Sequence, residues 1–157
     1  MLFLINLKCI GGSMIFKSLL FSLLIGLPSV SVQSGIPTDS SAIATVLFRQ
    51  QKAWNEGDIR GYMDGYWKSD SLRFVWKSGI TTGWGKTLHN YEKSYPDKTA
   101  MGILNFEIVS LDLMNSTGAF MLGKWHLTRV AGDLSGYFTL LWRKIDGAWV
   151  IVLDHSS

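Results

Sequence analysis

The chain has 157 residues, 47% hydrophobic, 13% aromatic and 17% charged, with one cysteine and a formal net charge of +3. That length suits one globular domain with a short appendage, and the seven Trp, eight Phe and five Tyr exclude a disordered chain, because they can bury enough apolar surface to offset the ordering entropy. A lone cysteine excludes a disulfide framework and a cysteine zinc cluster, and so small a charge gives no compositional case for nucleic-acid binding.

The first 34 residues form a separate regime. Their only charges are Lys8 and Lys17. Met14-Ile15-Phe16-Lys17 precedes an apolar stretch from Leu19 to Leu27, which gives way to Pro28 and a run of small residues. This is the layout of a secretory signal peptide, with exits at Ser29-Val30-Ser31 or Val32-Gln33-Ser34. The stretch is shorter than the ~20 residues that span a bilayer, so membrane attachment would require an uncleaved signal anchor. Met14 is an alternative start. Cys9 precedes the apolar stretch and does not fit a lipoprotein acceptor. Residues 35–157 then hold 13 basic and 12 acidic residues, about +1, and no cysteine. Such a composition suits a secreted or periplasmic domain.

Pro37-Thr38-Asp39-Ser40-Ser41 offers a stop and several N-caps, after which Ile43, Val46, Leu47, Gln50 and Trp54 recur at helical spacing until Gly57. Asp58 caps a shorter second helix with Ile59, Tyr62, Met63, Tyr66 and Trp67 on one face. Leu72 to Lys77 alternates as a strand, and Ser78-Gly79 forms a turn. A third helix is predicted from Thr81 or Thr82 to Tyr95, with Trp84, Leu88, Tyr91 and Tyr95 on one face, ended by Pro96-Asp97. Four long strands follow: Ile103 to Met114, Ala119 to Val130, Tyr137 to Ile145 and Trp149 to His155, the last two joined by the hairpin dipeptide Asp146-Gly147. Helices followed by a run of hairpin-linked strands define an α+β domain with an antiparallel sheet.

Several stretches carry a family resemblance. They are Trp54-Asn55-Glu56-Gly57-Asp58, Tyr62-Met63-Asp64-Gly65-Tyr66-Trp67, Gly79-Ile80-Thr81-Thr82-Gly83-Trp84, Tyr91-Glu92-Lys93-Ser94-Tyr95-Pro96-Asp97, and the run from Phe138 to Ser156. In their order and spacing they resemble the nuclear transport factor 2-like superfamily, across essentially all of residues 40–157. The nearest branch is a small bacterial group of domains of unknown function allied to SnoaL-like proteins and the calcium/calmodulin-kinase association domain. The resemblance implies a cone: a curved antiparallel sheet packed on N-terminal helices, with a pocket at its open end, usually as a homodimer. Isomerases, cyclases, dehydratases and non-enzymatic binders share this fold, so fold does not decide function.

Ketosteroid isomerase chemistry needs a carboxylate base and an oxyanion hole of Tyr and protonated Asp. Placed on this chain through the resemblance, the Tyr position falls on Gln50, and the strand expected to carry the base, around Phe74-Val75-Trp76, has no carboxylate. That route is therefore disfavoured. Strict two-residue alternation puts His155 on the inward face with Trp149, Ile151 and Leu153, and Asp154 on the other face. His155 is the candidate acid–base residue, with Tyr66 or Tyr91 supporting an oxyanion; the bland alternative is a strand end that caps the sheet. His126 and His89 read as exposed, and three histidines so dispersed give no metal-ligand spacing, so no metal or other cofactor is expected. Trp54, Tyr62, Trp67, Trp84, Tyr95, Trp125 and Trp142 are candidate walls for a flat apolar ligand, each of them also readable as core. The expected partners are a small apolar or aromatic molecule and a second copy of the chain, and no nucleic acid. A dimeric interaction module with a vestigial pocket is the third reading.

Overall fold

A computed structural model describes residues 38–157. The expected leader, its exit sites, the alternative start at Met14 and Cys9 lie outside the described residues.

Helix α1 (Asp39–Glu56) begins where Thr38 Oγ1 accepts the Ser41 amide, and Asp39 in the first turn complements the positive end of the helix dipole. It stops at Gly57, whose φ of 85° is the left-handed conformation that glycine adopts without a Cβ penalty. Asp58 caps α2 (Ile59–Met63), which is shorter than the apolar stripe reaching Trp67 suggests. After Met63 the chain straightens. Gly65 O accepts the Ile151 amide and Trp67 N donates to Ile151 O, so Tyr66 lies beside the last strand as a one-residue parallel bridge.

Strand β1 (Arg73–Trp76) turns back into β2 (Gly79–Thr82), pairing Phe74 with Thr81 and Val75 with Ile80. The third helix therefore does not start at Thr81 or Thr82. Thr81 is inside and hydrogen-bonded into a hairpin, and α3 (Trp84–Ser94) begins only after Gly83, where φ is 98°. A single-turn helix, α4 (Lys98–Met101), capped by Asp97, precedes the long strands β3 (Ile103–Asn115), β4 (Gly118–Thr128), β5 (Leu134–Ile145) and β6 (Ala148–Ser156). The six strands form one curved, unclosed sheet in the order β2-β1-β6-β5-β4-β3. The sheet is not wholly antiparallel, because β1 runs parallel to β6. It is α+β as expected, with β1 inside the strand read at Leu72 to Lys77 and β2 as the one additional strand among the described residues.

Bulges bend the sheet over the helices: Val109 and Met114 in β3 and Val152 in β6 each stand as an extra residue against the neighbouring strand. Helix α1 is held at both ends of its path across the concave face. At its start, Asp39 Oδ1 accepts Lys144 Nζ at 2.7 Å and Trp149 Nε1 at 2.9 Å, donors that hold its carboxyl below the usual carboxylate range. At its end, Asn55 and Gln51 work as a substitute strand for the edge of β3. Asn55 both donates to Leu104 O and accepts Leu104 N, and Gln51 Oε1 accepts Phe106 N at 2.6 Å. The Leu104 and Phe106 amides at that edge are thereby satisfied. Ile43, Leu47, Met63, Leu72, Phe74, Met121 and Trp142 fill the space between helices and sheet. No helix among the described residues is long and apolar enough to cross a membrane.

Candidate functional site

Between α1, α2, α3 and the concave face of β3–β6 lies a cavity of about 260 Å³. Its walls are mainly aromatic. Trp54 reaches it from α1, Tyr62 and Tyr66 from α2 and the segment after it, and Tyr91 and Tyr95 from the C-terminal half of α3 and its end. Phe106, Trp125 and Phe138 reach it from the sheet, and Trp76 from β1. Trp54 meets Tyr62, Tyr91 and Tyr95 edge-to-face at ring separations of 5.2, 6.0 and 4.7 Å. This geometry directs positive ring edges onto negative ring faces and fixes the wall.

The cavity has one polar pole. Asp154, 3% exposed, receives the Tyr66 hydroxyl on Oδ2 at 2.7 Å and the Ser156 hydroxyl on Oδ1 at 2.9 Å. Tyr66 Oη lies 3.3 Å from Tyr62 Oη, which lies 3.5 Å from Tyr91 Oη. Burial pushes the Asp154 carboxyl up to about 7, against the pull of its two hydroxyl donors. Burial likewise lifts Tyr62, Tyr66 and Tyr91 above the ordinary phenol value, so at neutral pH these are hydroxyls and not phenolates.

Proton accounting gives this row a direction. Each phenol has one proton to donate. With Asp154 ionised, Tyr66 gives its proton to the carboxylate, Tyr62 can then donate only to Tyr66, and Tyr91 only to Tyr62. Tyr91 is left presenting lone pairs. When Asp154 takes up a proton and donates it to Tyr66, the row can reverse and free the Tyr91 hydroxyl as a donor. Ionised, the carboxyl leaves the far end of the row accepting; protonated, it allows the far end to donate, and neighbouring bonds in such a row reinforce one another.

A second polar group lines the cavity. Gln50, 1% exposed, donates from Nε2 to the Tyr62 carbonyl at 2.9 Å; since that oxygen only accepts, the amide orientation is fixed, and Oε1 is left buried without a partner. Gly65 makes the room: a Cβ there would lie 2.3 Å from the Gln50 amide carbon. The position at which the isomerase comparison expects a tyrosine hydroxyl therefore carries a buried, unpaired acceptor.

The structure rearranges the sequence-derived candidates. Tyr66, Tyr91, Tyr62, Trp54, Tyr95 and Trp125 all reach the cavity. Trp67, Trp84 and Trp142 are not among its walls: Trp67 is partly exposed, Trp84 donates to Met63 O at 2.9 Å, and Trp142 lies in the core. His155 is exposed and Asp154 points inward, the reverse of strict alternation. The cause is the Val152 bulge: Trp142 pairs with Ile151 but Leu141 with Leu153, so the inward set runs Trp149, Ile151, Asp154 and Ser156. His89 is exposed, and His126, also exposed, lies 3.0 Å from Asp133. Among the described residues no cluster of three or more His, Cys, Asp or Glu side chains is placed to hold a metal. Asp154, Ser156 and Trp76 were not among the candidates; the Asp154-x-Ser156 spacing is a signal that two polar side chains share a face.

No family model matches the chain, and no curated protein matches it. Solved structures do. A nuclear transport factor 2-like protein of unknown function from Shewanella oneidensis is 40% identical, aligned over 76% of this chain and 99% of that one, with a TM-score of 0.75. A cystatin-like-fold domain from Nostoc punctiforme is 19% identical over 78% of each chain, with a TM-score of 0.67. A ketosteroid isomerase-like protein from Erwinia carotovora is 16% identical over 78% of this chain and 97% of that one, with a TM-score of 0.61. The more distant pair share the fold: a curved sheet on N-terminal helices, in the cystatin-like and ketosteroid isomerase-like class. With the Shewanella protein the likeness extends to sequence, and the chain belongs to the nuclear transport factor 2-like superfamily.

Proposed function

We propose that residues 35–157 form a small-molecule-binding domain that takes a compact, largely apolar or aromatic ligand into the cavity, with the ligand's polar group at the Asp154 end. The observation that carries this reading is that the aromatic side chains from α1, α2, α3 and the sheet do not fill the space between them, while Asp154, Tyr66 and Ser156 converge at one end. An apolar wall with a few convergent polar groups is the usual composition of a ligand site. At about 260 Å³ the volume is just below the usual range of such sites, about 300 Å³ and upward, and suits one ring system with short substituents. The leader-like character of residues 1–34 extends the proposal to a domain acting outside the cytoplasm.

Native mass spectrometry of the purified protein tests the ligand reading, with Leu104→Trp as the control. Leu104 lines the cavity, and an indole at this position occupies its space. The wild type is expected to retain small molecules that the variant lacks. Identical spectra from the two proteins, neither carrying an adduct, would count against the reading.

An acid–base enzyme is the second reading, favoured by one observation: a buried carboxyl titrating near neutrality, hydrogen-bonded to Tyr66, in a cavity. In that reading Asp154 carries the proton, in place of His155.

A further inference from the structure

Asp154 is a buried carboxyl with no cation beside it. On β6 itself, His155 is exposed on the other side of the sheet. On β1 its register partner is Phe74, and the neighbouring Arg73 is exposed; on β5 its partner is Leu140. The segment after α2 contributes the Tyr66 hydroxyl, and α2 and α3 contribute Tyr62 and Tyr91 behind it. Lys77 stands exposed at the cavity rim. Among the described residues, no Lys, Arg or His makes an ion pair with Asp154. A buried carboxylate in such surroundings carries a large desolvation cost until an opposite charge joins it.

The surroundings nevertheless suit a cation beside the carboxylate in two respects. Each carboxylate oxygen receives a hydroxyl proton, which leaves lone pairs for further donors. Much of the rest of the cavity wall is indole and phenol rings, whose electron-rich faces attract cations. A hard metal ion does not fit, since it needs six or more oxygen ligands and the cavity supplies one carboxylate among apolar rings.

We propose that the ligand is a small organic ammonium ion, an aryl- or alkylamine whose N–H groups bond the free lone pairs of Asp154 while its hydrocarbon part lies among the rings of Trp54, Tyr62, Tyr91 and Trp125. The inference rests on the ligand-binding reading and narrows it to a chemical class. A neutral alcohol can donate one hydrogen bond to Asp154 but leaves the charge uncompensated. A carboxylate ligand meets like charge. Because the amine selects the ionised carboxyl, its affinity follows the titration of Asp154 and weakens as the pH falls through neutrality.

Amide-resolved NMR titrations with benzylammonium, benzyl alcohol and benzoate test this on the whole domain. At about pH 8 the wild type is expected to bind benzylammonium at least about tenfold more tightly than benzyl alcohol, with benzoate weakest. The preference is expected to shrink at about pH 5.5 and to fall within about threefold in Asp154→Asn. Alcohol binding as tight as the amine at about pH 8, or a preference that persists in Asp154→Asn, overturns the amine assignment and leaves the ligand site standing. If none of the probes moves the resonances of cavity residues, both readings fail. The wild-type ratio and its pH dependence need no variant, so a poorly folding Asp154→Asn would not protect the proposal.

Discussion

Asp154→Asn is expected to be more stable than the wild type at about pH 8 and to lack the decline in stability that the wild type shows on the way there. The Asp154 carboxyl rises from 3.8 to about 7 on folding, chiefly through burial. Between those values the folded protein holds a proton that the unfolded chain has released, so stability falls as pH rises across that window. At ~1.4 kcal/mol per pH unit the loss is on the order of 4 kcal/mol by about pH 7. An asparagine has no proton to lose and keeps the shape. The difference corresponds to roughly ten degrees or more in melting temperature for a domain of this size. Asp39 acts with the opposite sign in a separate window: its carboxyl is held below 3.8, so the stability it contributes is lost only as pH falls further. Thermal unfolding followed by circular dichroism at about pH 4.5, 6 and 8 stays above the Asp39 window and follows Asp154. Parallel pH profiles for wild type and variant would contradict the assignment of Asp154.

Trp142→Ala is expected to cost on the order of 3–5 kcal/mol, whereas Trp142→Phe costs less than ~1.5 kcal/mol. Trp142 is wholly buried at the centre of the sheet, paired with Ala119 on β4 and Ile151 on β6. Truncation leaves a hole that rigid strands on both sides cannot close. Phenylalanine retains most of the packing and also removes the indole N–H, which is buried without an acceptor and is therefore a standing cost. Because Trp142 is not among the cavity walls, Trp142→Phe should bind the amine probe like the wild type. Denaturant unfolding and the same NMR titration give both readouts. A Trp142→Ala variant within about 1 kcal/mol of wild type would show that the strand is not packed as described.

Legibility in the sequence followed how local each cause is. The start of α1 is written in Thr38 and its end in Gly57, both of which act within one helical turn. The turn at Asp146-Gly147 was equally readable, and both residues adopt the positive φ, 49° and 80°, that a tight two-residue hairpin turn requires. Tyr62 and Tyr66 were read onto one helical face; the helix ends at Met63, yet their hydroxyls meet at 3.3 Å. Non-local causes were not readable. The Val152 bulge depends on how β5 and β6 align, and one extra residue exchanged the places of Asp154 and His155. Gly79-Ile80-Thr81-Thr82 is too short for periodicity to separate strand from helix start, and only pairing with β1 makes it a strand. Trp84 and Trp142 show the limit for aromatics: helical or strand spacing says that a ring is inside, not whether it faces a cavity or the core.

The most direct test of the account is the titration of the Asp154 side-chain carboxyl itself, followed by carbon-13 NMR with Asp154→Asn providing the assignment. In the free protein the resonance should titrate at about 7, and saturating benzylammonium should move the midpoint downward. A midpoint at the ordinary aspartate value, unchanged by the amine, would contradict both the buried carboxyl at the head of the cavity and the ligand class drawn from it.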